Sequence, residues 1–203
     1  MKMNLPNKLT VVRMIMVPIF VIVLMVSDAI WASVLCIVLF VAAAFTDMLD
    51  GKIARKNNLV TDFGKFLDPL ADKFMVIGAM LVILFRSMTA ETPNVLFCNI
   101  FFWAVVIVIF RELAVTSIRL VASGSKGIVI AANMLGKIKT CVQIACVVCC
   151  LAEPVIYGNV DALGFLMEYL PLSLVTSALM IVFTLWSGIN YIVSYWKYLD
   201  PEK

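Results

Sequence analysis

The chain has 203 residues, 64% of them hydrophobic and 14% charged, and carries a formal net charge of +3 from 16 Lys+Arg and 13 Asp+Glu. Soluble domains sit near about 45–50% apolar and about 25% charged. A water-soluble globular domain, a disordered chain and a disulfide scaffold are therefore excluded, and the composition reads as a polytopic membrane protein. The charge excess is too small for nucleic-acid binding. The sequence has no histidine, which removes every site built on an imidazole, including those of phospholipase-D-like lipid synthases with a His-Lys-Asp nucleophile motif.

Apolar runs follow one another at 9–26, 30–45, 74–85, 95–110, 140–152 and 172–193. They predict an all-α integral membrane protein with six transmembrane helices. The connectors are of two kinds. Those at 1–8, 52–73, 111–139 and 197–203 are basic; those at 27–29, 86–94 and 153–171 are poor in cations. With Arg13 counted in the first set, 15 of the 16 Lys+Arg residues fall on that side, and only Arg86 on the other. The positive-inside rule then puts both termini and the basic loops in the cytoplasm. No small-residue cleavage site follows the first run, so no cleavable signal peptide is expected. Tyr191, Tyr195 and Trp196 are expected in an interfacial aromatic belt. Cys36, Cys98, Cys141, Cys146, Cys149 and Cys150 lack metal-site spacing and read as packing residues.

Three runs are too short. A helix needs about 20 residues to cross about 30 Å of hydrocarbon, and 74–85, 140–152 and 30–45 supply 12, 13 and 16. Their helices must be completed at the cytoplasmic ends, where Asp47, Asp50, Asp68, Asp72, Lys137 and Lys139 lie. Arg86 could also snorkel and lengthen the third span outward. Ionisable groups at such depth are costly unless paired, and so are functional candidates.

The acidic residues have a regular layout. Asp47 and Asp50 are i,i+3 neighbours on one helix, with Gly51 and Ala54 on their face. Asp68 and Asp72 are i,i+4 neighbours on the next, with Gly64 one turn earlier. Four carboxylates facing one cavity repel each other and need cations. Lysine or arginine would serve, and Lys52, Arg55, Lys65 and Lys73 are the nearest. Hard divalent ions suit an all-oxygen set better, and a pair of them is the arrangement used for phosphoryl transfer. The small residues Gly51, Ala54 and Gly64 would let a nucleotide or pyrophosphate approach the backbone.

The pattern Asp47-x2-Asp50-Gly51-x2-Ala54-Arg55-x8-Gly64-x3-Asp68-x3-Asp72 resembles the signature of the CDP-alcohol phosphotransferase family at every fixed position. Eight fixed positions match by chance at roughly 10⁻¹⁰ per start point. The likeness extends to Pro6-Asn7-Lys8-Leu9-Thr10 with Arg13, to 55–61, to Arg111-Glu112, to Gly136-Lys137-Ile138-Lys139-Thr140 and to Ser187-Gly188. It is similar to the bacterial branch that makes phosphatidylglycerophosphate. The stretch 153–171 carries no usable motif.

The resemblance implies a single membrane domain over 1–203 with its signature at 47–72. It implies transfer of a phosphatidyl group from CDP-diacylglycerol to sn-glycerol 3-phosphate, with release of CMP. Asp47, Asp50, Asp68 and Asp72 would hold two Mg²⁺ or Mn²⁺ ions, and Asp72 would also be the general base. Asp47, Gly51, Ala54 and Arg55 match CDP-contacting positions, with Asp62 near the base and Gly64 leaving room for the nucleotide. Arg55 could instead be a topology determinant, and Asp62 a first-turn acid behind a Thr61 cap. Asn7, Thr10 and Arg13 share a helical face and would line the nucleotide side; the alternative is N-capping by Asn7 and snorkelling by Arg13.

An acceptor with its own phosphate needs cations, and Arg111, Arg119, Lys126, Lys137 and Lys139 are candidates. Lys137 and Lys139 differ by about 200° around a helix. Lys137 shares a face with Asn133 and Thr140 and is preferred; Arg119 lies on the face of Glu112. The expectation is a phosphate site of Arg119 and Lys137, with Arg111 and Lys139 as lesser members. Anionic-lipid contact is the alternative for all four.

A homodimer is implied too, with Ala42–Ala44, Gly78-Ala79 and Ser187-Gly188 available for close helix contacts between or within chains. Two other functions compete: the same chemistry on another acceptor (inositol phosphate or a second lipid), or divalent-cation transport. Transport would spread acids through the bilayer depth, whereas these lie at one side.

Overall fold

The computed structural model describes the backbone of residues 4–56, 61–126 and 134–196. Within these it describes the side chains of all but 48–56, 62, 65 and 120–126. Six long helices make up the described chain: α1 (Leu5–Val26), α2 (Ile30–Lys56), α3 (Asp62–Thr89), α4 (Val95–Lys126), α5 (Met134–Asn159) and α6 (Pro171–Tyr195). A 3₁₀ segment at Asp161–Glu168 precedes α6. Five of the helices are long and apolar enough to cross a membrane. The exception is α3, whose first turns carry Asp68, Asp72 and Lys73. The fold is thus all-α and membrane-embedded.

The helices close into a ring. In order around it, α1 packs on α2, α2 on α5, α5 on α6, α6 on α4, α4 on α3, and α3 on α1; an α3–α5 contact crosses the middle. Each helix sends apolar side chains inward, among them Phe20, Phe40, Met80, Phe101, Val147 and Met180, which form one core cluster. The outer faces are apolar as well: Ile15, Ile22, Trp103, Phe110, Val182 and Val193 are all exposed. Water would not tolerate that surface on a monomer; acyl chains do. Polar residues are correspondingly inside, including Thr10, Arg13, Gln143, Ser177 and Thr184.

Helix ends follow local chemistry. Asn4 begins α1 by accepting the Asn7 backbone N–H at 3.1 Å, so Asn4, not Asn7, is the cap. Thr61 begins α3 by accepting the Gly64 N–H at 3.1 Å. Asn94 accepts the Phe97 N–H at 2.9 Å, and its amide donates to the Glu168 carbonyl at 2.6 Å, tying the 3₁₀ segment to α4. The short apolar run in the third span is lengthened both ways, since α3 extends from Asp62 through Arg86 to Thr89. Arg86 pairs with Asp28 at 2.9 Å and donates to Ser33 at 3.3 Å, joining α3 to the α1–α2 connector at the end away from the aspartates.

Two expectations are corrected. The connector expected from residue 153 begins later, because α5 runs through Pro154 to Asn159. A proline removes one backbone donor, which neighbouring groups in a bundle can compensate. Tyr191 is buried, not in an interfacial belt; its ring lies 4.7 Å from that of Tyr195, while Trp196 is exposed. Four of the six cysteines are buried as packing residues, Cys149 is half-buried and Cys141 is exposed. The small residues serve contacts within the chain at two sites. A Cβ on Gly78 would meet Val17 at 3.2 Å, and one on Gly188 would meet Arg111 at 3.0 Å.

Glu153 has a structural task that its sequence context concealed. Helix α6 starts after Leu170, which has a left-handed φ of 46° and no side-chain cap. The Glu153 carboxylate, 1% exposed, supplies the cap from α5. It accepts the Leu172 N–H at 2.8 Å and the Ser173 N–H at 2.7 Å, and also the Ser173 hydroxyl. A carboxylate at a helix N-terminus satisfies its free donors and complements its dipole. Glu153→Ala should therefore lower stability by about 2 kcal/mol, read as a lower unfolding temperature in detergent, with Glu153→Gln losing less.

Candidate active site

The site is assembled at the end of the bundle where α1 begins, α2 ends and α3 begins. Three residues of α1, spaced i, i+3 and i+6, each meet a residue of the segment that opens α3. The Asn7 amide donates to Thr61 Oγ1 at 3.0 Å. Thr10 Oγ1 donates to Asp68 Oδ1 at 2.6 Å. Arg13 Nη1 lies 2.8 Å from Asp72 Oδ1 and 2.9 Å from Asp47 Oδ1. One guanidinium nitrogen thus holds carboxylates from two helices. Its side chain is fully buried, while those of Asp47 and Asp72 are 41% and 46% exposed. The acids face an opening; the cation is behind them.

Both earlier alternatives for this face of α1 are overturned, since Asn4 is the cap and Arg13 points inward. Asn7 and Thr10 brace the acidic helices. The space at Gly64 is also used by α1: a Cβ there would come within 2.9 Å of Asn7 Oδ1. The lack of a side chain at Gly64 thus serves a close contact within the chain. Of the nearby cations with described side chains, Arg13 pairs with Asp47 and Asp72, and Lys73 turns instead to Thr116 on α4; those of Lys52, Arg55 and Lys65 lie outside the described residues.

Asp47, Asp68 and Asp72 are thus brought to one end of the bundle. The side chains of Asp50, Gly51, Ala54, Arg55 and Asp62 lie outside the described residues, as does that of Lys126. Among the described residues no three acidic, cysteine or histidine side chains converge as a metal cluster. The donor chemistry nevertheless fits a hard cation: the carboxylates are all-oxygen, two already share one positive group, and they face outward.

A basic centre adjoins the acidic one. It turns on Glu112, whose Oε1 accepts from Arg111 Nη1 at 3.1 Å and from Lys139 Nζ. Thr116 donates to the Glu112 carbonyl at 2.6 Å and receives Lys73. Lys73 lies within electrostatic range of Glu112, Arg119, Arg111 and Asp72, which links the two centres. Gly188 leaves space for the Arg111 stem. Arg119 is exposed and donates to Tyr191 Oη at 3.5 Å.

Lys137 was preferred over Lys139 for the phosphate site, and the structure turns Lys139, not Lys137, into the bundle. Lys139 is buried against Glu112. Lys137 is exposed on the outer side of α5, beside Met134, Ile138 and Cys141. Their 200° separation was readable; the partner that chooses between them comes from α4. Glu112 and Thr116 were not among the candidates, and Lys73 was considered only as a counter-charge for the aspartates. The adjacent Arg111-Glu112 pair was the available signal, because an acid beside a cation within a long helix of an apolar bundle needs a partner.

Comparison with known proteins bears on this geometry. The family model described as CDP-alcohol phosphatidyltransferase matches residues 3–186. A Bacillus subtilis protein named CDP-diacylglycerol–glycerol-3-phosphate 3-phosphatidyltransferase is 38% identical, covering 98% of this chain and 98% of its own. A protein of the same name from Yersinia enterocolitica is 32% identical, covering 99% and 100%. Another, from Wigglesworthia glossinidia brevipalpis, is 36% identical over 70% of this chain and 74% of its own.

The Asn7–Gly64 approach generates a test. Gly64→Ala should cost about 1 kcal/mol by disturbing the Asn7–Thr61 hydrogen bond. In an Asn7→Ala background the same change should be neutral or stabilising, because alanine favours helix over glycine. Equal effects in both backgrounds, measured by thermal unfolding, would contradict the contact. Lys139→Ala should likewise lower stability by about 2 kcal/mol, leaving Glu112 with one cation fewer in a buried site, whereas Lys137→Ala should change it little.

Proposed function

Because the chain belongs to the CDP-alcohol phosphatidyltransferase family, we propose that it transfers the phosphatidyl group of CDP-diacylglycerol to sn-glycerol 3-phosphate, giving phosphatidylglycerophosphate and CMP. The observation that carries this reading is the outward-facing pair Asp47 and Asp72, drawn together by Arg13, with a lysine and arginine centre beside it. Carboxylates suit phosphoryl transfer through cations; the basic centre suits an acceptor that is itself a phosphate ester. The names of the relatives above support the same donor and acceptor.

In the proposed reaction Asp72 takes the proton of the acceptor hydroxyl. That oxygen bonds to the phosphatidyl phosphorus as the bond from this phosphorus to the CMP oxygen breaks. Asp47, Asp50, Asp68 and Asp72 would hold two Mg²⁺ or Mn²⁺ ions, which when bound neutralise charge on the phosphoryl oxygens and the leaving CMP. Thr10 fixes the rotamer of Asp68, and Arg13 fixes Asp47 against Asp72. Gly51, Ala54, Arg55 and Asp62 receive the CDP moiety. Arg111 and Lys139, oriented by Glu112, take the acceptor phosphate, with Arg119 and Lys73 beside them. Lys137 meets the anionic lipid surface.

The single domain spans the membrane six times with both termini cytoplasmic. In this arrangement α3 also crosses, with its acids at the cytoplasmic surface. The donor keeps its tails in the inner leaflet, and the protein works as a homodimer in the cell membrane.

The test is an assay of purified protein with CDP-diacylglycerol and radiolabelled acceptors, with and without EDTA. Phosphatidylglycerophosphate and CMP should form from glycerol 3-phosphate, and EDTA should abolish both. Product from inositol phosphate alone would replace the acceptor. Asp72→Asn should lower turnover about 10²- to 10⁴-fold in a chain that still folds, with Asp47 left to pair Arg13; near-normal turnover would remove Asp72 as base.

A further inference from the structure

We propose that Arg13 is the resident counter-charge of the acidic centre, a positioning residue that stands in for a divalent cation when none is bound. This rests on the reading that the aspartates hold divalent ions. Arginine stays charged under all ordinary conditions, and this one is 1% exposed. A lone buried guanidinium is costly, so its placement needs a partner. Its Nη1 meets two, Asp47 Oδ1 on α2 and Asp72 Oδ1 on α3.

Without that positive charge, two carboxylates held within reach of one nitrogen atom would repel each other and push α2 from α3. A divalent ion bound by the same acids supplies the same neutralisation more strongly. It also meets repulsion from Arg13. The two cations are therefore alternatives in electrostatic terms, although Arg13 enters from inside the bundle and an ion from the open side. Arg13 keeps the metal-free centre assembled and weakens metal binding to it. A residue that merely filled space between helices would stabilise both forms alike.

The experiment compares the full chain with Arg13→Gln in detergent, by thermal unfolding in EDTA and in Mn²⁺ and by Mn²⁺ titration followed by electron paramagnetic resonance. In EDTA the variant should unfold several degrees below the parent. Saturating Mn²⁺ should close most of that gap, and the variant should bind Mn²⁺ several-fold more tightly. An equal deficit in EDTA and Mn²⁺, or weaker Mn²⁺ binding by the variant, would overturn the proposal.

A second variant separates charge from packing and needs no metal. Adding Asp47→Asn to Arg13→Gln removes one of the repelling carboxylates, and should restore much of the EDTA stability. Failure of the double variant to regain stability, or to fold, would also overturn the proposal. If the parent binds no Mn²⁺ while the double variant is rescued in EDTA, the counter-charge role within the protein stands, and the divalent-ion reading and the stand-in role that rests on it fall.

Discussion

A polar side chain in a bundle with an apolar exterior has only the interior or the two ends in which to find a partner. That constraint organises this protein. The outer faces carry Ile15, Trp103 and Val182, while Thr10, Arg13, Lys139 and Glu153 are buried. Each of these four has a partner on another helix: Asp68 for Thr10, Asp47 and Asp72 for Arg13, Glu112 for Lys139 and the start of α6 for Glu153. Burial of a charge without such a partner would cost several kcal/mol, so these contacts determine how the helices are set against each other.

The two charged centres share one stretch of backbone. Asp72 turns toward α1 and its guanidinium; Lys73, the next residue, turns toward α4 and Thr116. Successive helical residues differ by about 100°, enough to send opposite charges to different neighbours. The join between acid and base chemistry is thus made by adjacent positions on α3, the helix that also touches α5 across the ring. Glu112 plays the corresponding part in the basic centre by holding Arg111 and Lys139 on a single oxygen.

Much of this was legible in the sequence because it depends on spacing within single helices. The i,i+3 and i,i+4 aspartates, the Thr61 cap and the Asn7, Thr10, Arg13 face all follow from helical periodicity. What was missed depends on partners distant in the chain. Nothing near Lys137 and Lys139 indicates which one meets Glu112, 27 residues before the latter. Glu153 follows an apolar run and looks like the first residue of a connector, yet its role is defined by the first turn of α6, where it meets Ser173 20 residues later. Tyr191 resembled a belt residue because its place under Arg119 and Tyr195 depends on how α4 and α6 cross. The close approach of Asn7 to Gly64, from 57 positions earlier, was not readable from the spacing around the glycine.

The order of helices around the ring differs from their order along the chain, since α2 lies beside α5 and α4 beside α6. The described acidic contacts are complete once residues 5–89 have been made, for they use only α1, α2 and α3. The basic centre needs α4 and α5, and its enclosure needs α6. Chains emerge from the ribosome N-terminal part first. A nascent chain released to the bilayer therefore carries its paired acids early, as a three-helix hairpin whose α2 and α3 flanks await later helices.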